Sequence, residues 1–204
     1  MTATAAPARS DRSDFRTVTT SGAALGVVTA VAVVLFLAAS RQLLDGVLRS
    51  GAEALIVLVA GISASFLPAE WSRARQVEGI AGAAAIGLVG TIMFSAIDIV
   101  LFRPLNAFPW TWDAIGGGST WWYLPVWWML GTFLAWMGAI VTARQAGRGE
   151  TTLARRAAVP VVATLVVVVA ARLAGVGVAL PVLMGAGYTV VLAVAAVVAL
   201  ARKG

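Results

Sequence analysis

An ionisable side chain inside an apolar stretch must be paired, hydrated or used, so such residues are the first places to look for chemistry. Asp98 stands in the apolar run from Gly79 to Phe102, near its C-terminal end. At helical rise that is about 6 Å from the edge of the run. Ser95 and Thr91 precede it at helical spacing, which sets it on a face of small residues. Arg172 interrupts the run from Ala157 to Leu180, roughly 12 Å from its end by the same measure. A long guanidinium can reach outward along its helix. The expectation is an intramembrane ion pair, Asp98 with Arg172, that locks two spans together. The alternatives are a snorkelling Arg172 with Asp98 at the water interface, and a substrate or proton site at Asp98.

The second concentration of chemical potential is aromatic. Seven of the eight tryptophans, Trp110, Trp112, Trp121, Trp122, Trp127, Trp128 and Trp136, fall within one short stretch. Phe108, Tyr123 and Phe133 join them, and the segment from Asp113 to Thr120 holds three consecutive glycines. Tryptophan and tyrosine gather at the headgroup level of a membrane, because each ring is apolar with one polar edge. An interfacial belt explains most of the cluster. The surplus makes Trp110, Trp112, Asp113, Trp121, Trp122, Tyr123, Trp127 and Trp128 a candidate surface for a ligand or a membrane partner. Trp128, Thr132 and Trp136 share one helix face, which reads as core packing, with a lipid, quinone or pigment contact as the alternative.

Much other chemistry is excluded. The chain has no histidine and no cysteine, so imidazole or thiolate metal sites, thiol nucleophiles, histidine-based triads and disulfides are absent. The only lysine is Lys203. No phosphate-cradling GxxxxGK[ST] motif occurs, and no paired aspartates at helical spacing stand ready to hold a magnesium diphosphate. General acid–base catalysis would rest on Asp98 or Asp113 alone, which points away from an enzyme. No resident cofactor or metal is expected.

These residues must be positioned by membrane helices. Of 204 residues 60% are apolar and 12% charged, about half the charge of an ordinary soluble domain. The apolar runs are continuous rather than alternating, which excludes barrel strands. A bilayer core needs about 20 apolar helical residues, and six runs qualify: 22–40, 52–68, 79–102, 121–143, 157–180 and 181–201. The fold class expected is therefore all-α, a polytopic bundle of about six transmembrane helices forming a single domain over 22–201. Residues 1–21 read as a disordered tail and 103–120 as a Trp/Gly-rich loop. The run 22–40 is longer than a signal-peptide core, so it reads as an uncleaved anchor even though Ala38-Ala39-Ser40 resembles a cleavage site. Between Arg41 and Ser50, Leu43, Leu44, Val47 and Leu48 share a face, which suits either a short interfacial helix or extensions of the flanking spans.

Basic residues set the orientation. With the N-terminus inside, 11 of the 15 basic residues lie on cytoplasmic segments, whose net charge is +6, while the outer segments sum to zero. This is the asymmetry of the positive-inside rule, and it puts both termini in the cytoplasm. It also makes the basic balance topological rather than a nucleic-acid footprint. Gly79, Ala83, Gly87, Thr91 and Ser95 form a ridge of small residues at four-residue spacing, matched by Gly131, Ala135 and Ala139 on the fourth span and Gly22, Gly26 and Ala30 on the first. Such ridges let helix backbones approach closely, so the third span is expected at the centre of the bundle.

The expected function is that of a non-catalytic integral membrane subunit or scaffold, with membrane lipids and another membrane protein as its expected partners. Its outer Trp-rich loop would dock the partner or bind a lipid or hydrophobic cofactor. The alternative is a small permease or substrate-capture subunit with an outward-facing site near Asp98. The charge asymmetry suits a bacterial cytoplasmic membrane.

Overall fold

The computed structural model describes residues 12–105, 107, 123–146 and 152–201, and within them the chain is all-helical. The helices are α1 (Phe15–Gln42), α2 (Val47–Trp71), α3 (Val77–Ile97), α4 (Tyr123–Ala146), α5 (Leu153–Leu173) and α6 (Leu180–Ala201). A π-helical turn, Asp98–Phe102, continues α3. All six helices are long and apolar enough to cross a membrane, α3 taken together with its π-turn.

Local chemistry explains where the helices begin and end. Asp14 caps α1: one carboxylate oxygen accepts from the Thr17 backbone N–H at 2.9 Å and the other from the Thr17 hydroxyl at 2.7 Å. Helix therefore starts at Phe15, and residues Phe15 to Ser21, expected in the tail, are helical. Between α1 and α2 no separate interfacial helix forms. Both spans extend toward each other, and Gly46 at φ +147° makes the turn.

At the other end of α2, Arg73 takes a positive φ of 52° in the turn to α3. Backbone bonds from Arg73 N–H to Glu70 O and from Ala74 N–H to Ala69 O close that turn. The N-terminal segment docks on it through Arg12 N–H to Ser72 O at 2.8 Å. The ends of α2 and α4 and the starts of α1, α3 and α5 thus share one face of the bundle. The opposite face carries the π-turn.

Small residues set the packing. α3 lies between α1 and α4 and also touches α2. A Cβ added at Gly87 would stand 2.6 Å from the Gly131 carbonyl oxygen and 2.6 Å from Ala135 Cβ. One added at Gly26 would stand 2.9 Å from the Gly90 carbonyl oxygen. Backbone therefore meets backbone along both sides of α3. The ridge Gly79, Ala83, Gly87, Thr91 and Ser95 faces α4 at Gly87 and Thr91, while Gly90 and Met93 meet α1. The tightest crossing joins α2 to α4, where a Cβ on Gly138 would stand 2.1 Å from Ser65 O. α6 packs on α2, α4 and α5, and Gly61 gives Tyr188 room to lie against α2. α5 is peripheral, and Val159, Val162 and Val166 point outward, as lipid-facing positions do.

Pro68 and Pro160 lie in helix interiors, beyond the first turn. Pro160 sits two turns into α5 because that helix begins at Leu153, ahead of the expected boundary. Proline has no N–H to give the carbonyl four residues back, here that of Arg156. Gln145 of α4 donates its side-chain amide to that carbonyl at 3.4 Å.

Candidate functional site

Asp98 opens the π-turn and is 5% exposed. The turn arises where the ladder must stop: Arg103 N–H donates back five residues to Asp98 O at 2.9 Å, and the following Pro104 has no N–H to extend it. This winding brings Arg103 Nε to 3.5 Å from Asp98 Oδ2, and both side chains are largely buried. Nearby, Phe94 packs against Phe102 with ring centroids 6.4 Å apart and meets Trp127 edge-on at 6.3 Å. Trp128 donates its indole N–H to Ser95 Oγ at 3.2 Å. The two tryptophans thus tie α4 to the turns of α3 that lead into Asp98.

The structure does not bring Asp98 and Arg172 together. α5 ends at Leu173 rather than Leu180, so Arg172 stands in the last turn, exposed, and donates to Val176 O at 3.2 Å. Gly175, at φ +80°, turns the chain there, with Gly175 N–H bonded to Arg172 O and Val176 N–H to Ala171 O. Arg172 therefore serves the C-terminal end of a peripheral helix, where a cation complements the helix dipole. Asp98 pairs instead with Arg103, five residues on. Sequence reasoning passed over it because an i,i+5 pair lies on different faces of an α-helix; the Pro104 that ends the ladder was the available signal.

Of the aromatic surface, Trp110, Trp112, Asp113, Trp121 and Trp122 lie outside the described residues, as does the Tyr123 side chain. Trp127 and Trp128 are half-buried against α3. Trp136 is 48% exposed, so the shared face with Trp128 and Thr132 is not packed in the core along its length. α4 turns that ring outward because its other side carries the close crossings with α2 and α3.

At the same end, Glu53 of α2 is buried and accepts from Ser40 Oγ at 2.7 Å and Arg49 Nε at 3.1 Å. Arg49 also pairs with Asp45. Arg41 donates to Ala107 O at 3.1 Å beside an open, mainly apolar groove of about 340 Å³ lined by Val34, Leu37, Phe102 and Leu105. Asp98 lines neither this groove nor the cavity at the opposite end.

That second cavity, about 240 Å³, lies between the α2–α3 turn, the end of α4 and the start of α5. Its wall includes Glu70, Arg73, Arg75, Thr142 and Arg156. Arg156 is 7% exposed and pairs with Glu70. The sequence placed these arginines on the cytoplasmic loops without bringing them together. Among the described residues no group of acidic side chains could hold a metal ion. Comparison with protein-family models, with curated proteins and with solved structures finds no match for this chain.

Proposed function

We propose that this protein is a non-catalytic multi-pass membrane subunit or scaffold of a bacterial cytoplasmic membrane, with both termini in the cytoplasm. Its outer Trp-rich segment docks a membrane partner or holds a lipid or hydrophobic cofactor. The observation that carries the reading is Asp98: it is buried, paired with Arg103 on its own helix, and lines neither cavity. A permease site would need that carboxylate to meet a hydrated path. The apolar groove beside Phe102 and Leu105 supports the same reading, since it adjoins the start of the Trp-rich segment and carries Arg41.

The test is to replace Trp110, Trp112, Trp121 and Trp122 by alanine and measure co-purifying lipid and protein in mild detergent by native mass spectrometry. Loss of the retained species with an unchanged melting temperature is expected. Unchanged retention moves the function away from that segment. Orientation is checked by Gly117→Cys, simple in a chain without cysteine. The residue should label from outside the cell, and labelling from the cytoplasm alone would reverse the topology.

A further inference from the structure

The cavity at the opposite end from Asp98 has the make-up of an anion site, independent of the outer segment. Among the described residues three arginines, Arg73, Arg75 and Arg156, and one acid, Glu70, stand in its wall. Arg156 is itself buried, so part of this charge is held in the wall rather than on mobile surface chains. Guanidinium groups present planar forks of N–H donors that match phosphate oxygens two at a time.

A second observation is independent of the charge. Thr29, Ser65, Thr91, Ser95, Thr132, Thr164 and Thr189 all give their hydroxyl hydrogen to the carbonyl four residues back. Thr142, in the cavity wall and 3% exposed, does not: its Oγ1 has no hydrogen-bond partner. A buried hydroxyl left unsatisfied costs about 1–3 kcal/mol, and an oxyanion beside it would remove that cost. The positive φ of Arg73 adds to the picture, because the turn that presents this arginine is held in a sparsely populated conformation by Ala74 N–H on Ala69 O.

Size narrows the ligand. At about 240 Å³ the cavity is smaller than the range of about 300–1,000 Å³ that takes drug-sized molecules. It has room for a phosphate and the few atoms attached to it. It also lies at the ends of helices long and apolar enough to cross a membrane, and basic pockets between the ends of such helices suit anionic lipid headgroups.

We propose that this cavity binds a phosphate group, supplied either by the headgroup of an anionic phospholipid or by free phosphate, through Arg73, Arg75, Arg156 and Thr142. The experiment uses the full chain in mild detergent. Native mass spectrometry measures retention of phosphatidylglycerol and of phosphatidylcholine, and a thermal melt with inorganic phosphate or sodium chloride at matched ionic strength measures the free anion. The variants are the double substitution Arg73→Gln with Arg75→Gln, both exposed residues, and Thr142→Val.

Preferential retention of phosphatidylglycerol, falling about tenfold in the arginine variant and about threefold in Thr142→Val, assigns the lipid source. A rise in melting temperature with inorganic phosphate that the arginine variant lacks assigns free phosphate. Either result supports the site. Equal retention of both lipids with no phosphate effect would overturn it. So would an arginine variant that melts and binds like the wild type. If Thr142→Val does not fold, the exposed arginine pair still decides.

Discussion

At one end of the bundle Asp98 is 5% exposed and pairs with Arg103 within its own chain segment, close to the rings of Phe94, Phe102 and Trp127. At the other, Arg156 of α5 pairs across to Glu70 of α2, and the pair stands in the wall of a cavity. Both ends hold a buried charge, and what differs is the surroundings. The first pair has both side chains mostly shielded from solvent, whereas Glu70 keeps a side-chain exposure of 38%. A shielded pair makes each partner depend on the other; a partly hydrated one lets water replace a missing partner. The contrast is between the two charge pairs: one is shielded, and the other borders a cavity that water can reach.

The comparison breaks first at Asp98. Asp98→Ala removes the carboxylate from a largely buried guanidinium and should cost about 3 kcal/mol, read as a lower melting temperature in detergent. A wild-type melt would mean that the pair is not shielded as described. Gly138→Ala comes next. Its new Cβ would meet the Ser65 carbonyl at 2.1 Å, and that crossing lies one turn inward from Ala69 and Thr142 in the cavity wall. A backbone atom cannot rotate away, so about 2 kcal/mol is expected, whereas Gly187→Ala, with its nearest neighbour at 3.6 Å, should change the melt little.

Ser95→Ala removes the acceptor of the Trp128 indole and should cost about 1 kcal/mol. A double-mutant cycle on Glu70→Gln and Arg156→Gln is expected to give a smaller coupling than one on Asp98→Asn and Arg103→Gln. Equal couplings would erase the contrast between the ends. The smallest effect belongs to Asp14, whose carboxyl is held below its ordinary range by the Thr17 hydroxyl and then by the Thr17 backbone N–H. A lowered folded pKa stabilises above the unfolded value, and the stabilisation is lost as pH falls through the folded one. Asp14→Asn keeps the cap and should flatten the stability decline below about pH 4. An unchanged acid profile would show that the cap does not contribute.

The six apolar runs, and the small-residue ridges that meet at Gly87 and Gly131, could be read from residue type alone, because length and spacing carry that information. The ends could not. Residue type alone carries span five to Leu180 through Gly175 and Gly177, since neither glycine interrupts a run of valine and alanine. The positive φ at Gly175 in fact marks the helix end. That one boundary moved Arg172 out of the apolar interior and left Asp98 to a nearer partner. The cavity was hidden for a different reason: Glu70, Arg73, Arg75, Thr142 and Arg156 come from three separate stretches of sequence, and only tertiary packing joins them.

The π-turn after α3 gives the Asp98–Arg103 pair a mechanical meaning. At about 100° per residue, five residues of ordinary α-helix would leave the two side chains roughly 140° apart around the axis. The wider winding from Asp98 to Phe102 reduces that offset. Winding and charge pairing therefore form one unit: tightening this segment by one residue per turn would pull the cation from the anion. A change of winding at Pro104, beside the Trp-rich segment, would thus separate the two charges.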